Sequence, residues 1–401
     1  MSLLEKDQRY ILNVYNRIPL EIDYCKGSYI YDTNGNKYLD MFSGISVTNL
    51  GHSQQGIVDK IIEQSKKYTH LSNYFVSPPV INLAKMLVEN TFASKVFFTN
   101  SGAESIEAAI KCARKFGKSY NNNKTKILSA INSFHGRTMG GLSITGQHKY
   151  QDAFSPLLPN VDYFKFNDIE DFENKVDNTV CAVFLEIIQG EGGIREVSSN
   201  FISKLQELSK RYNFLIVVDE IQTGIGRTGD FLASDKFGLK PHMTTLAKSI
   251  GGGLPLGALL IDQSIENVLT TGDHGSTFGG NPVCCAAGEY LVNKVLEEDF
   301  KAEIKEKSDY IINEIKKIQN KFPNIIKDIR GRGLMIGIDV SDFSHQIKDL
   351  AFKKQLLLNV TNNTVIRLLP PLNISNTDID KFLNIFEDIL LQINGKAIDS
   401  Y

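Results

Sequence analysis

Between residues 60 and 285 the chain alternates short, continuously apolar runs rich in β-branched and aromatic side chains with stretches of helical periodicity. Seven of these runs, at 95–99, 126–130, 161–166, 180–186, 214–219, 243–247 and 256–261, read as strands. A strand that is apolar on both faces has to be covered on both, and strands separated by helices pair mainly in parallel. The expected class is therefore α/β, with a large domain built on a mainly parallel seven-stranded sheet. Such sheets bind ligands beyond the carboxyl ends of their strands. Asn100, Asp219 and Lys248 all stand at or just past such an end.

With 401 residues, the chain is longer than the ~250–300 at which one core stops growing, so a second lobe is expected. Residues 27–40 read as a hairpin turning at Asn34-Gly35. Beyond residue 286 come a charged amphipathic helix to about 322, strands at 333–340 and 365–369, and a closing helix at about 378–393. The predicted division is an N-terminal segment of the small lobe (1–60), a large domain (61–285) and a small C-terminal α+β domain (286–401).

A formal net charge of -2 provides no field for nucleic acid or an anionic membrane, which leaves small, near-neutral ligands. Five cysteines, an odd number without metal-ligand spacing, argue for a reducing cytoplasm and against a disulfide framework. No apolar run approaches the ~18 residues of a membrane span, and the polar start does not resemble a signal peptide.

The chemistry-bearing residues follow the strand ends. Lys248 lies in an apolar stretch that runs into Gly251-Gly252-Gly253, where burial would lower its pKa and leave an amine able to condense with a carbonyl. Ser101-Gly102-Ala103-Glu104 leads from a strand into a helix with capping-box spacing, and its free N–H groups make a phosphate seat or simply a capped helix. Gly117 is expected to end that helix. Asp219 closes an apolar strand and needs a partner, whether a pyridine nitrogen, a helix terminus or Mg²⁺. Phe134 could stack on a planar ring and Arg137 grip a carboxylate; His135 is open between acid, ligand and packing, and without a second ligand nearby no metal site is expected. Arg367, in the apolar run 365–371, requires an anionic partner. Gly224, Gly226 and Gly229 formally match a dinucleotide fingerprint but are separated from the preceding strand by residues 220–223, which disfavours nucleotide binding.

In this order, over residues 9–393, these segments resemble the class III (ornithine-type) aminotransferases, whose cofactor is pyridoxal 5'-phosphate. The resemblance implies fold type I of the pyridoxal-phosphate-dependent transferases, with residues 61–285 as the cofactor-binding domain. Lys248 would hold the cofactor as a Schiff base and serve as general base, Asp219 would pair with the ring nitrogen, Gln222 would reach the ring hydroxyl and Phe134 would stack on the ring. Ser101, Gly102 and Ala103 would hold the phosphate, joined by Thr277 from a neighbouring subunit, which implies a homodimer with shared sites. Arg137, Arg367 and Ser276 would bind substrate, with Glu191 as a switch that neutralises Arg367 when the substrate lacks a second carboxylate. The acetylornithine branch is the most similar. Ile45 replaces the tyrosine of ornithine enzymes, so the implied substrates are N-acetylornithine and 2-oxoglutarate, in arginine synthesis; ornithine, succinylornithine and 4-aminobutyrate are the alternatives.

Overall fold

The computed structural model describes residues 1–398. Its largest sheet has seven strands in the order Lys95–Thr99, Gly257–Ile261, Met243–Leu246, Leu215–Asp219, Val180–Leu185, Lys126–Ala130, Val161–Phe164. Only Gly257–Ile261 runs against its neighbours. Side-chain alternation shows why both faces are apolar. Ala182, Phe184, Leu215 and Val217 join the helix Gly102–Tyr120 on one side, whereas Val183, Leu185, Ile216 and Val218 join Ser199–Tyr212 on the other.

Gly117 does not end the first of these helices, which continues to Tyr120. A Cβ there would lie 2.0 Å from the Lys124 carbonyl oxygen and 2.6 Å from Cys181 Cβ. The glycine is required by close helix-to-sheet packing, a use that sequence cannot distinguish from a C-cap.

The amphipathic stretch expected over 286–322 is two helices, Pro282–Leu296 and Glu298–Lys321, parted at Glu297, whose ψ of 127° is extended. Glu298 and Asp299 then occupy the first turn of the second helix, where its dipole favours negative charge. The C-terminal sheet is antiparallel, in the order Asp328–Arg332, Met335–Asp339, Val365–Leu368, Asn359–Thr361. The N-terminal strands Ile22–Lys26, Tyr29–Asp32 and Lys37–Asp40 form a second small sheet, completed in parallel by Leu356–Leu357 from the far end of the chain.

Residues 60 and 285, the expected boundaries, each fall inside a helix, Gln55–Ser65 and Pro282–Leu296, and these two helices pack on each other. Of the C-terminal domain expected over 286–401, residues 399–401 lie outside the described residues. Among the described residues no helix is long and apolar enough to cross a membrane.

Candidate active site

A cavity of about 510 Å³ opens beyond the carboxyl ends of the parallel strands and is lined by Ser101, Gly102, Ala103, Phe134, Asp219 and Lys248. The strand-end rule and the chain's own order of motifs thus converge on one place. Lys248 touches the open volume but is enclosed by protein, and burial, followed by the nearby positive charge of Arg367, pulls its pKa down to about 8. It follows Met243–Leu246 at a left-handed φ of 53°, a strain of about 1–3 kcal/mol that the surrounding packing has to hold. Gly288 allows that packing: a Cβ there would sit 2.4 Å from Ile250 O in the Lys248 turn.

At one end of the cavity, Ser101 Oγ accepts the Glu104 N–H at 3.2 Å, as capping-box spacing predicts. The reciprocal bond goes elsewhere. Glu104 Oε2 accepts from the Asn100 backbone N–H at 2.7 Å and from Asn100 Nδ2 at 2.8 Å. Gly102 and Ala103 are the first two helical residues, so their N–H groups have no intrahelical acceptor and are available to an anion.

Asp219 forms the floor. Its Oδ2 lies 2.7 Å from His135 Nδ1, and its Oδ1 accepts from the Ile221 N–H at 3.0 Å and Thr245 Oγ1 at 3.2 Å. His135, open in the sequence, is thereby a partner of Asp219. Burial opposes its charged form, but the bond to Asp219 and the charges of Asp219 and Glu186 outweigh that and raise its pKa. Glu186, just after Val180–Leu185, also lines the cavity, and burial pushes its carboxyl up to about 8. The rule that singled out Asp219 applies equally to Glu186, and the sequence reading passed over it.

Directly behind the part of the wall made by Glu191 and Gln222, Arg367 is 1% exposed, and its Nη1 donates to Glu191 Oε1 at 2.7 Å and Gln222 Oε1 at 3.2 Å. The expected Arg367–Glu191 pair is therefore brought together, while Gln222 spends its oxygen on the same guanidinium. Arg137 is exposed at the cavity's edge, its guanidinium carbon 3.8 Å from the centre of the Tyr150 ring and 5.6 Å from that of Phe134. Tyr150 was not foreseen. Ile45 packs against the core beside the site and Val47 lines the cavity instead; both lie in or next to a turn, Ser43–Ser46, whose four residues all have φ between 48° and 64°.

Besides Arg367, two expected residues do not line the cavity. Ser276 and Thr277 line a separate surface hollow with Asn73 and Tyr74, and Ser276 Oγ accepts from Asn100 Nδ2 at 2.9 Å. The glycines of 224–229 occupy turns, not a strand-to-helix junction. Arg227 among them is fully buried, donating to Ser46 Oγ, Asn49 Oδ1, Leu334 O and Pro370 O.

The model of the family "Aminotransferase class-III" matches residues 10–390. The chain is a class-III aminotransferase. An acetylornithine aminotransferase of Caldanaerobacter subterraneus is 41% identical to it over 394 residues, 98% of this chain and all of that one. One of Aquifex aeolicus is 43% identical over 382 residues, 95% of this chain and all of its own. Among solved structures, the ornithine aminotransferase of Toxoplasma gondii superposes with a TM-score of 0.93 at 28% identity, covering 98% of this chain and 95% of that one. The N-acetylornithine aminotransferase of Stenotrophomonas maltophilia gives 0.86 at 30%, covering 98% and 100%. The aminotransferase has the type I fold of pyridoxal-phosphate enzymes, and that compound is its cofactor. The cavity fits it: an enclosed amine, a buried carboxylate, an aromatic face and a helix N-terminus surround one volume.

Proposed function

We propose that this aminotransferase moves the δ-amino group of N2-acetyl-L-ornithine to 2-oxoglutarate, giving N-acetyl-L-glutamate 5-semialdehyde and L-glutamate in arginine synthesis. The observation that carries the reading is the pairing of buried Arg367 with Glu191, a residue of the cavity wall. One pocket has to take a donor without a second charged end and then a 2-oxo diacid, and a buried arginine is costly unless something balances it. Glu191, more exposed than Arg367, is the partner free to move. The relatives named acetylornithine aminotransferase, and Ile45 where ornithine enzymes carry tyrosine, support the donor.

Pyridoxal phosphate supplies a carbonyl that takes up the amino group and a ring that takes up the electron pair of the broken C–H bond. Ser101, Gly102 and Ala103 would hold its phosphate, Phe134 would stack on its ring, and Asp219, oriented by His135, would pair with its nitrogen. Gln222 stands within the same wall. Lys248 would hold the group through its Nζ and, as a free amine, would serve as the base for the proton on the donor's δ-carbon. Arg137 and Arg367 grip substrate carboxylates, with Ser276 near the entrance.

Thr277 belongs, on this reading, to the phosphate seat of a second copy, making a homodimer with shared sites. Tyr74, Phe75, Val76 and Phe278 leave large apolar side chains exposed on this side of the chain, a surface suited to such a partner. Five cysteines without a disulfide among the described residues suit the cytoplasm.

Ornithine is the second reading for the donor, favoured by the higher TM-score of the Toxoplasma gondii enzyme. A panel of N2-acetylornithine, ornithine, succinylornithine and 4-aminobutyrate with 2-oxoglutarate decides between them. The highest kcat/KM is expected for N2-acetylornithine; a higher value for ornithine or 4-aminobutyrate overturns the assignment.

A further inference from the structure

Asn359 stands directly across from Arg367 in the antiparallel C-terminal sheet. Its Oδ1 accepts from Arg367 Nε at 2.9 Å and from Nη2 at 2.7 Å. Arginine only donates, so chemistry requires the amide oxygen to face it. These two bonds take the side edge of the guanidinium, leaving Nη1 to Glu191 and Gln222. Two residues along, on the same face of Asn359–Thr361, Thr361 Oγ1 lies 3.0 Å from Gly190 O and 3.1 Å from Glu191 O and shares its one proton between them. A single three-residue strand therefore holds the guanidinium at one end and the backbone beneath Glu191 at the other.

The choice of a carboxamide has an electrostatic consequence. It satisfies two N–H groups without cancelling the charge, whereas an aspartate of the same shape would neutralise the arginine permanently. Among the described residues Glu191 is the only carboxylate paired with Arg367. When that side chain turns away, both the charge and the Nη1–Nη2 end become available together.

We propose that Asn359 is a positioning residue that selects for the diacid: it locks Arg367 so that the guanidinium offers its Nη1–Nη2 end to an incoming carboxylate with its charge uncompensated, while Thr361 fixes the backbone so that only the Glu191 side chain moves. The proposal rests on the reading of Arg367 and Glu191 given under Proposed function.

The test uses holoenzyme and the isosteric variant Asn359→Asp, following each half-reaction separately and the binding of glutarate, a diacid that cannot react. Glutarate affinity and the kcat/KM of the 2-oxoglutarate half-reaction are expected to fall at least tenfold, with a much smaller change in the N2-acetylornithine half-reaction. Asn359→Ala, which frees the side edge without adding charge, is expected to weaken glutarate at least threefold. In a Glu191→Gln background, Asn359→Asp should restore part of the donor half-reaction, because it resupplies the missing negative charge. Equal losses in both half-reactions, or glutarate affinity unchanged in both variants, overturn the proposal while leaving the functional reading intact. A wild-type enzyme that binds no glutarate and does not distinguish 2-oxoglutarate from pyruvate overturns that reading, and this proposal with it.

Discussion

Asp219 and His135 meet through a 2.7 Å hydrogen bond at the floor of the cavity, and the imidazole's other nitrogen, Nε2, is buried without a partner. The aspartate is thus fixed in orientation before any ligand arrives. Replacing His135 by leucine leaves one buried carboxylate oxygen without its donor, which costs about 1–3 kcal/mol. Chemical denaturation should register that loss, and fluorescence titration of the apoenzyme should show weaker cofactor binding.

Lys248 gives a pH dependence with a definite sign. Its pKa is lowered from the ordinary lysine value to about 8, so the amine loses its proton as pH rises through that point. Capture of pyridoxal phosphate by the apoenzyme should therefore accelerate between about pH 7 and 9 and then level off. Stopped-flow absorbance at a series of pH values checks this; a rate flat across that window contradicts it. Lys248→Ala should lower turnover by ~10³-fold or more.

Glu186 acts on stability in the opposite direction. With its pKa raised in the fold to about 8, the native state holds a proton that the unfolded chain has released above its ordinary value. The resulting stabilisation is present at low pH and is lost as pH rises from about 4.5 to 8. Glu186→Gln removes this slope, so the variant's melting temperature relative to wild type should be higher at pH 8.5 than at pH 5.

Much of this site was legible in the sequence because each element is announced locally. The apolar strand before Asp219, the capped helix after Ser101 and the glycines after Lys248 are contiguous patterns, and they fix which end of the sheet carries the chemistry. The Asp219–His135 bond is different: its partners come from separate strand-to-helix connections, and nothing near either residue reports the other. Asn359 and Thr361 escaped for a related reason. Their strand has only three residues, too few for a period to register, and its role lies entirely in what crosses from Gly190, Glu191 and Arg367. The polar strand Asp328–Arg332 was missed because it lacks the apolar signature on which strand reading depends.

Removing the Arg367–Glu191 pair from one side should separate the two substrates. Arg367→Ala is expected to raise the KM for 2-oxoglutarate by ~30-fold or more, from the loss of a charge-assisted contact of about 2–5 kcal/mol. Glu191→Gln should instead slow mainly the N2-acetylornithine half-reaction, where Arg367 is left unbalanced. Single-turnover absorbance with each substrate distinguishes the two patterns.

Arg227→Met offers a test of architecture. Ser46, Asn49 and two backbone carbonyls would lose a shared donor in a site with no access to water, at a cost of about 3 kcal/mol or more. A drop in the denaturation midpoint with an unchanged slope is the expected result.

The pairing of Leu356–Leu357 with Lys37–Asp40 has a temporal meaning. On the ribosome, Leu356–Leu357 emerges more than three hundred residues after Lys37–Asp40. The strand that leads into the turn beside the cavity must wait, its edge unsatisfied, while all seven strands of the large sheet, the last of which ends at Ile261, are made. Completion of this edge is thus timed by residues 356–357, and a nascent chain stopped short of them would carry Asp219 and Lys248 while Lys37–Asp40 still lacked its parallel neighbour.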